Sequence, residues 1–182
     1  MIDQQGWYRD AKHLLSPHHD DRDDPTDVSL LVIHNISLPP SQFGGDYIEQ
    51  FFTGQLDASQ HPFFDVIKEM RVSAHCLIDR TGQVIQFVPF NKRAWHAGLS
   101  SYAGRARCND YSIGIELEGD DYTTYTEEQY QSLKRVTQAL MSEYPKMTPS
   151  RITGHQYIAP LRKTDPGLVF DWRKLSRLLE SD

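Results

Sequence analysis

The stretch ITGHQYIAPLRKTDPG, from Ile152 to Gly167, sets His155, Lys163 and Asp165 among glycines and prolines. Histidine and carboxylate are ligand types of hydrolytic zinc centres, which use about three protein ligands and leave a fourth position for water. Residues i and i+2 of an extended segment point the same way, so Lys163 and Asp165 face one side together. The plain alternative is a surface ion pair, which contributes little. The chain has no HExxH helix, so a metal centre using these residues must draw ligands from distant segments. His34 offers itself at the end of the run SLLVIHN, where a buried strand meets a loop. That is where α/β proteins place ligands. A hydrogen-bonded core histidine is the competing explanation, and His75 and His96 compete for the same role.

Glu116 lies in YSIGIELEG, opposite a face made by Ile113, Ile115 and Leu117. It is either a solvent-facing residue of a one-sided sheet or a general base lining a cleft. Arg71, Arg93, Arg105 and Arg107 flank strands and loops of an acidic chain. Arginine suits bidentate recognition of carboxylates, although any one of them fits an ordinary surface position. Trp95, in AWHAG, suits a stacking platform or the core. No GxSxG, P-loop or CxxC pattern is present.

These residues need elements to hold them. SLLVIHN (29–35) is predicted as a buried strand ending at His34, followed by the loop LPPSQFGG. DYIEQFFTG (46–54) is predicted as a short helix capped by Asp46 and stopped by Gly54. SAHCLIDRTGQVIQFVPF (73–90) is a hairpin turning at DRTG. Residues 91–110 form a long loop, and 111–119 a strand. The clearest helix is 126–145, with Thr126 and Gln129 as a capping box and Pro145 as its end. FDWRKLSRLLESD is a last helix capped by Asp171. Interleaved strands and helices predict an α/β (α+β) single domain, a mixed central β-sheet flanked by helices.

The 182 residues suit one domain able to bury roughly 70% of its unfolded surface without disulfides. Nineteen Lys and Arg against 25 Asp and Glu give a net charge of −6. That balance argues against nucleic acid or an anionic membrane as partner. Cys76 and Cys108 fit two reduced thiols better than a secreted disulfide scaffold. The start MIDQQGWYRDAKHLLSPHHDD lacks a charged leader before an apolar run, and no apolar stretch reaches the roughly 18 residues of a membrane span. The expectation is a cytoplasmic protein. Oligomeric state is not legible, and a monomer is the working expectation.

Four segments in order, LLVIHNIS, VSAHCLIDRTGQVIQFVPFNKRAWHAG, CNDYSIGIELEG and ITGHQYIAPLRKTDPG, resemble the zinc-dependent N-acetylmuramoyl-L-alanine amidases of type 2, relatives of the peptidoglycan recognition proteins. Within that family the chain is similar to the branch that cuts 1,6-anhydromuropeptides in cell-wall recycling. The resemblance covers almost the whole chain. It implies one amidase domain over 1–182, with a leader segment at 1–28 and a family-type insertion at 36–70. It implies one Zn²⁺ per chain held by His34, His155 and Asp165. Glu116 then matches the general base and Lys163 the cation near the reacting carbonyl. Asn35, Arg71, Trp95 and Arg107 fall where the resemblance places contacts to the small-molecule anhydromuropeptide. Relatives with cysteine as third ligand differ here, since this chain has Asp165. The resemblance also implies a link to β-lactamase induction. A fragment-binding module, an exported wall amidase and an unrelated metallophosphatase are the alternatives. The first has no need of a complete ligand set beside Glu116 and Lys163.

Overall fold

The runs LLVIHNI and SIGIELE become the two seven-residue strands at the centre of the sheet. The computed structural model describes residues 1–181. In chain order the strands are β1 (Lys12–His13), β2 (His19–Asp21), β3 (Leu30–Ile36), β4 (Cys76–Ile78), β5 (Val84–Gln86), β6 (Lys92–Ala94), β7 (Ser101–Tyr102), β8 (Arg105–Ala106), β9 (Ser112–Glu118) and β10 (Ile152–Gly154). The helices are α1 (Tyr47–Phe52), α2 (Pro62–Ile67), α3 (Glu127–Glu143), α4 (His155–Ile158) and α5 (Trp172–Glu180). Six strands form the main sheet in the order β1-β5-β4-β9-β3-β10. β4 and β5 are the antiparallel hairpin, and the other neighbours run parallel. The expected mixed sheet with flanking helices is therefore the fold.

Both faces of the central strands are covered. On one face Leu31 and Ile33 of β3 and Ile113, Ile115 and Leu117 of β9 share a core with Leu133, Val136 and Leu140 of α3 and Leu175 of α5. Burying each such side chain contributes roughly 1.5–3 kcal/mol relative to leaving it in water. The helices are set by their caps. Thr126 Oγ1 accepts from Gln129 N at 3.1 Å, and Gln129 Oε1 accepts from Thr126 N at 3.1 Å. Asp171 accepts from Lys174 N at 2.9 Å. On the other face Leu30 and Val32 pack with Ala97, Cys108, Tyr111 and Ile158. Both cysteines are free and buried.

Several boundaries differ from expectation. β3 runs two residues past His34, to Ile36, because β9 pairs with it over its full length. Asp46 gives its helix no side-chain cap; α1 begins from its backbone carbonyl, which accepts from Gln50 N at 2.9 Å. Residues 91–110 are not one loop. β6 pairs antiparallel with β2, and β7 with β8. The first 28 residues supply β1 to the edge of the main sheet and β2 to the small one. α1 and α2 pack through Phe51, Phe52 and Phe64 on Phe87 and Val88, forming a wall beside the sheet.

Candidate metal centre and active-site cleft

The parallel register of β3 and β9 sets His34 directly against Glu116. Side chains alternate across a strand, so both project to the face opposite the α3–α5 core. His155 comes from the start of α4, immediately after β10, which itself pairs with β3. Asp165 comes from the turn that follows α4. Gly154 permits that turn to approach, since a Cβ there would stand 2.8 Å from Pro166 Cδ. Gln156 N donates to Asp165 O at 2.9 Å, and Tyr125 Oη donates to Pro166 O at 2.7 Å.

These constraints bring three donor atoms together. His34 Nδ1 is 2.9 Å from Asp165 Oδ2, His155 Nδ1 is 3.0 Å from the same oxygen, and the two Nδ1 atoms are 3.0 Å apart. The three form a group of ligand atoms able to hold a metal ion. Two imidazole nitrogens and one carboxylate oxygen suit a divalent transition metal with a further position open to the cleft. The surroundings agree. His155 Nε2 faces the Ala97 carbonyl at 3.2 Å, so that nitrogen carries the proton and Nδ1 keeps its lone pair. Histidine ligands characteristically donate their second N–H in this way. Burial, with smaller effects of His155 and Lys163, lowers the His34 pKa to about 4 despite its bond to Asp165, so its ring is neutral. Burial alone pushes the Asp165 carboxyl up, but the bonds from His155 and His34 outweigh it and hold the group below the usual carboxylate range.

Glu116 is buried, and its Oε2 has no hydrogen-bond partner among the described residues. Burial and then the charge of Asp165 raise its pKa well above the ordinary value, while Lys163 opposes them. An unpartnered buried carboxyl oxygen beside a two-His, one-Asp cluster fits a site that takes a cation. Of the two alternatives for Glu116, a solvent-facing residue of a one-sided sheet does not hold, because every residue of β9 is buried.

The cluster lies at the base of a cleft of about 250 Å³. Glu116, Lys163, Asn35 and Trp95 line it together with His34, His155 and Asp165. Asn35 donates to Asp121 at 2.9 Å, and the Trp95 ring stacks near His18 with centroids 6.1 Å apart. Arg71 and Arg107 are exposed and do not line the cleft. Arg107 bonds Asp110 through Nε at 2.9 Å. His75 and His96 give no atom to the cluster. His75 Nδ1 accepts from Gly114 N at 3.0 Å and Nε2 faces Lys92 O at 3.1 Å, a structural role. Sequence reasoning missed the apolar wall of the cleft, Phe51, Phe52, Phe63, Ile67 and Met70. It also missed Arg162, which donates to Ala97 O and Leu99 O at 2.7 and 2.8 Å and ties the two loops together.

Comparison with known proteins agrees with the geometry. A family model described as N-acetylmuramoyl-L-alanine amidase matches residues 24–168, and the chain belongs to that family. It is similar to the 1,6-anhydro-N-acetylmuramyl-L-alanine amidase AmpD of Citrobacter freundii, 56% identical over 179 residues, 98% of this chain and 95% of the relative. A crystal structure of a selenomethionine AmpD derivative superposes with a TM-score of 0.95 at 56% identity, covering 98% of this chain and 99% of that one. The amidase AmiD from E. coli, solved in complex with its substrate anhydro-N-acetylmuramic acid-L-Ala-D-gamma-Glu-L-Lys, matches with a TM-score of 0.62 at 25% identity, over 97% of this chain and 65% of that chain.

Proposed function

We propose that this protein is a zinc-dependent amidase that hydrolyses the bond between the lactyl group of 1,6-anhydro-N-acetylmuramic acid and L-Ala in anhydromuropeptides. The observation that carries the reading is one cleft in which His34, His155 and Asp165 converge beside Glu116 and Lys163. The match to AmpD over nearly the whole chain supports the substrate class.

His34 and His155 through Nδ1, and Asp165 through Oδ2, would hold the zinc. Zinc bound there supplies Lewis acidity to the scissile carbonyl, acidity to an attacking water, and positive charge that favours the ionised form of Glu116. Glu116 takes the proton of the attacking water and returns it to the leaving amine of L-Ala. Lys163 offsets negative charge gathering on the tetrahedral oxygen. Asn35 and Trp95 position the substrate along the cleft. Products are the anhydro-sugar and a free stem peptide. We place it in the cytosol, where it would meet soluble fragments rather than the polymeric wall. Consuming such fragments would also lower the inducer signal for β-lactamase expression.

The test is incubation of purified protein with a defined anhydromuropeptide, products read by mass spectrometry. Cleavage at the lactyl–L-Ala amide, about one Zn²⁺ per chain, and loss of activity on chelation are expected. Full turnover in a metal-free sample sinks the mechanism. Equal rates on intact sacculi favour a wall hydrolase.

A further inference from the structure

His34 and His155 are held from behind by different kinds of partner. His155 Nε2 meets a backbone carbonyl, which only accepts. His34 Nε2 instead meets Nδ1 of His96 at 2.9 Å. His96 Nε2 in turn meets Ser112 Oγ at 3.1 Å. An imidazole nitrogen and a hydroxyl can each donate or accept, so distances alone leave the direction of this chain open.

The site around His96 is built for the ring. An added Cβ at Gly114 would stand 2.4 Å from His96 Cγ, so β9 carries glycine where the imidazole lies. His96 N and Ala97 N both donate to Asn109 Oδ1, at 3.2 and 2.8 Å, which fixes the segment. The His34 and His96 rings cross edge-on with centroids 5.0 Å apart.

We propose that His96 is a positioning residue for the metal centre: its Nδ1 accepts the Nε2–H of His34, its own Nε2–H donates to Ser112 Oγ, and the Nδ1 lone pair of His34 is thereby turned to the cation. The inference rests on the zinc reading given above. Both rings are neutral and carry one proton each in this arrangement, as in the reverse one, so the chain's direction changes without net gain or loss of protons. His96 gives no atom to the ligand group and acts through His34.

The test is a pair of measurements on the whole chain. Nitrogen–proton NMR of the histidine side chains, on zinc-loaded wild type, reads which ring nitrogen carries each proton. Zinc affinity, by competition with a chromophoric chelator, is compared among wild type, His96→Phe and His96→Asn, each checked by its metal-free melt. The expected pattern is Nε2–H on both His34 and His96. His96→Phe should lose roughly 10–100-fold in zinc affinity, the range for partners of metal ligands. His96→Asn, whose amide can turn its oxygen towards His34, should recover most of that. A loaded wild type with the His96 proton on Nδ1 overturns the proposal, and this arm decides alone if His96→Phe does not fold. A folded His96→Phe that binds zinc as tightly as wild type also overturns it. A wild type that takes up no zinc removes the metal reading itself, whereas zinc uptake with the wrong tautomer removes only the role of His96.

Discussion

The site has a sheet half and a loop half, and they are held in different ways. His34 and Glu116 stand opposite each other on β3 and β9, two strands paired along seven residues and covered on both faces. Their separation is fixed by strand register, which cannot slip by one residue without turning an apolar set outward. His155, Lys163 and Asp165 lie on a one-turn helix and the turns after it. That half rests on a few hydrogen bonds from Tyr125, Gln156 and Arg162. Such a region opens locally more readily than a central strand. The comparison suggests a division of labour: the sheet holds a base and one ligand in place, and the cation itself closes the loop half onto them.

Asp165→Ala is the hardest blow to that picture, because it removes the only anionic ligand and the tie between the two halves. Zinc and activity should be lost together, measured by metal analysis and turnover. Zinc removal from the wild type should speed amide hydrogen exchange across 155–167 and leave β3 and β9 protected. Equal changes in both halves would erase the distinction between them.

Glu116→Gln should retain zinc and lose on the order of 10²–10⁴ in kcat, the span of general acid–base catalysis. The same variant tests the cost of burying this acid. Its folded pKa is raised above the ordinary 4.5 by burial. Below that ordinary value the carboxyl is protonated in both folded and unfolded chains, and the substitution should change little. As pH rises towards the raised value, the unfolded chain ionises while the folded one resists, so the wild type loses stability. Metal-free Glu116→Gln should therefore melt above metal-free wild type at neutral pH, by about 2–4 °C for each kcal/mol relieved, and converge with it in acid. A constant difference across pH would remove the burial argument.

What could be read from the chain follows the same division. Alternation in SIGIELE put Glu116 opposite the isoleucines, and the capping box and apolar stripe marked α3, because these are local signals. Burial of Glu116 was not legible. The residues that share its cleft, Trp95, His155, Lys163 and Asp165 among them, come from segments that nothing local ties to β9. β6 escaped notice because its partner β2 lies some seventy residues upstream and each has three residues. His96 looked like a rival ligand because only the space over Gly114 and the reach to His34 distinguish its place. The segment ITGHQYIAPLRKTDPG was legible as chemistry before it was legible as structure. Its turns do not form a periodic element, yet its residue types are scarce enough to attract attention.

Lys163→Met sharpens the loop half from within. Lys163 and Asp165 are two residues apart and line the same cleft, but a protonated amine cannot ligate a cation. The variant should keep zinc and lose about 10²–10³ in kcat, as removal of an oxyanion donor does, with KM little changed. Loss of zinc on Lys163→Met would make it a structural partner of Asp165 and end its proposed role.

The smallest effects are expected outside both halves, at Arg71 and Arg107. Resemblance placed both against the substrate, while the structure leaves both side chains exposed and away from the cleft lining. Arg107 already has a partner in Asp110, and an exposed ion pair contributes little because water screens it and long side chains resist being fixed. The proposed stem-peptide substrate carries carboxylates, and each arginine offers local positive charge on an acidic protein. Changing either to alanine should therefore raise KM by about fivefold or less and leave kcat and zinc content unchanged. The effect should shrink further in high salt, since exposed charges separated by more than a Debye length are screened. An increase well beyond that, persisting in salt, would mean that one arginine becomes buried against the peptide on binding. That surface would then have to close on its substrate, and the site would have a second moving part beside the loop half.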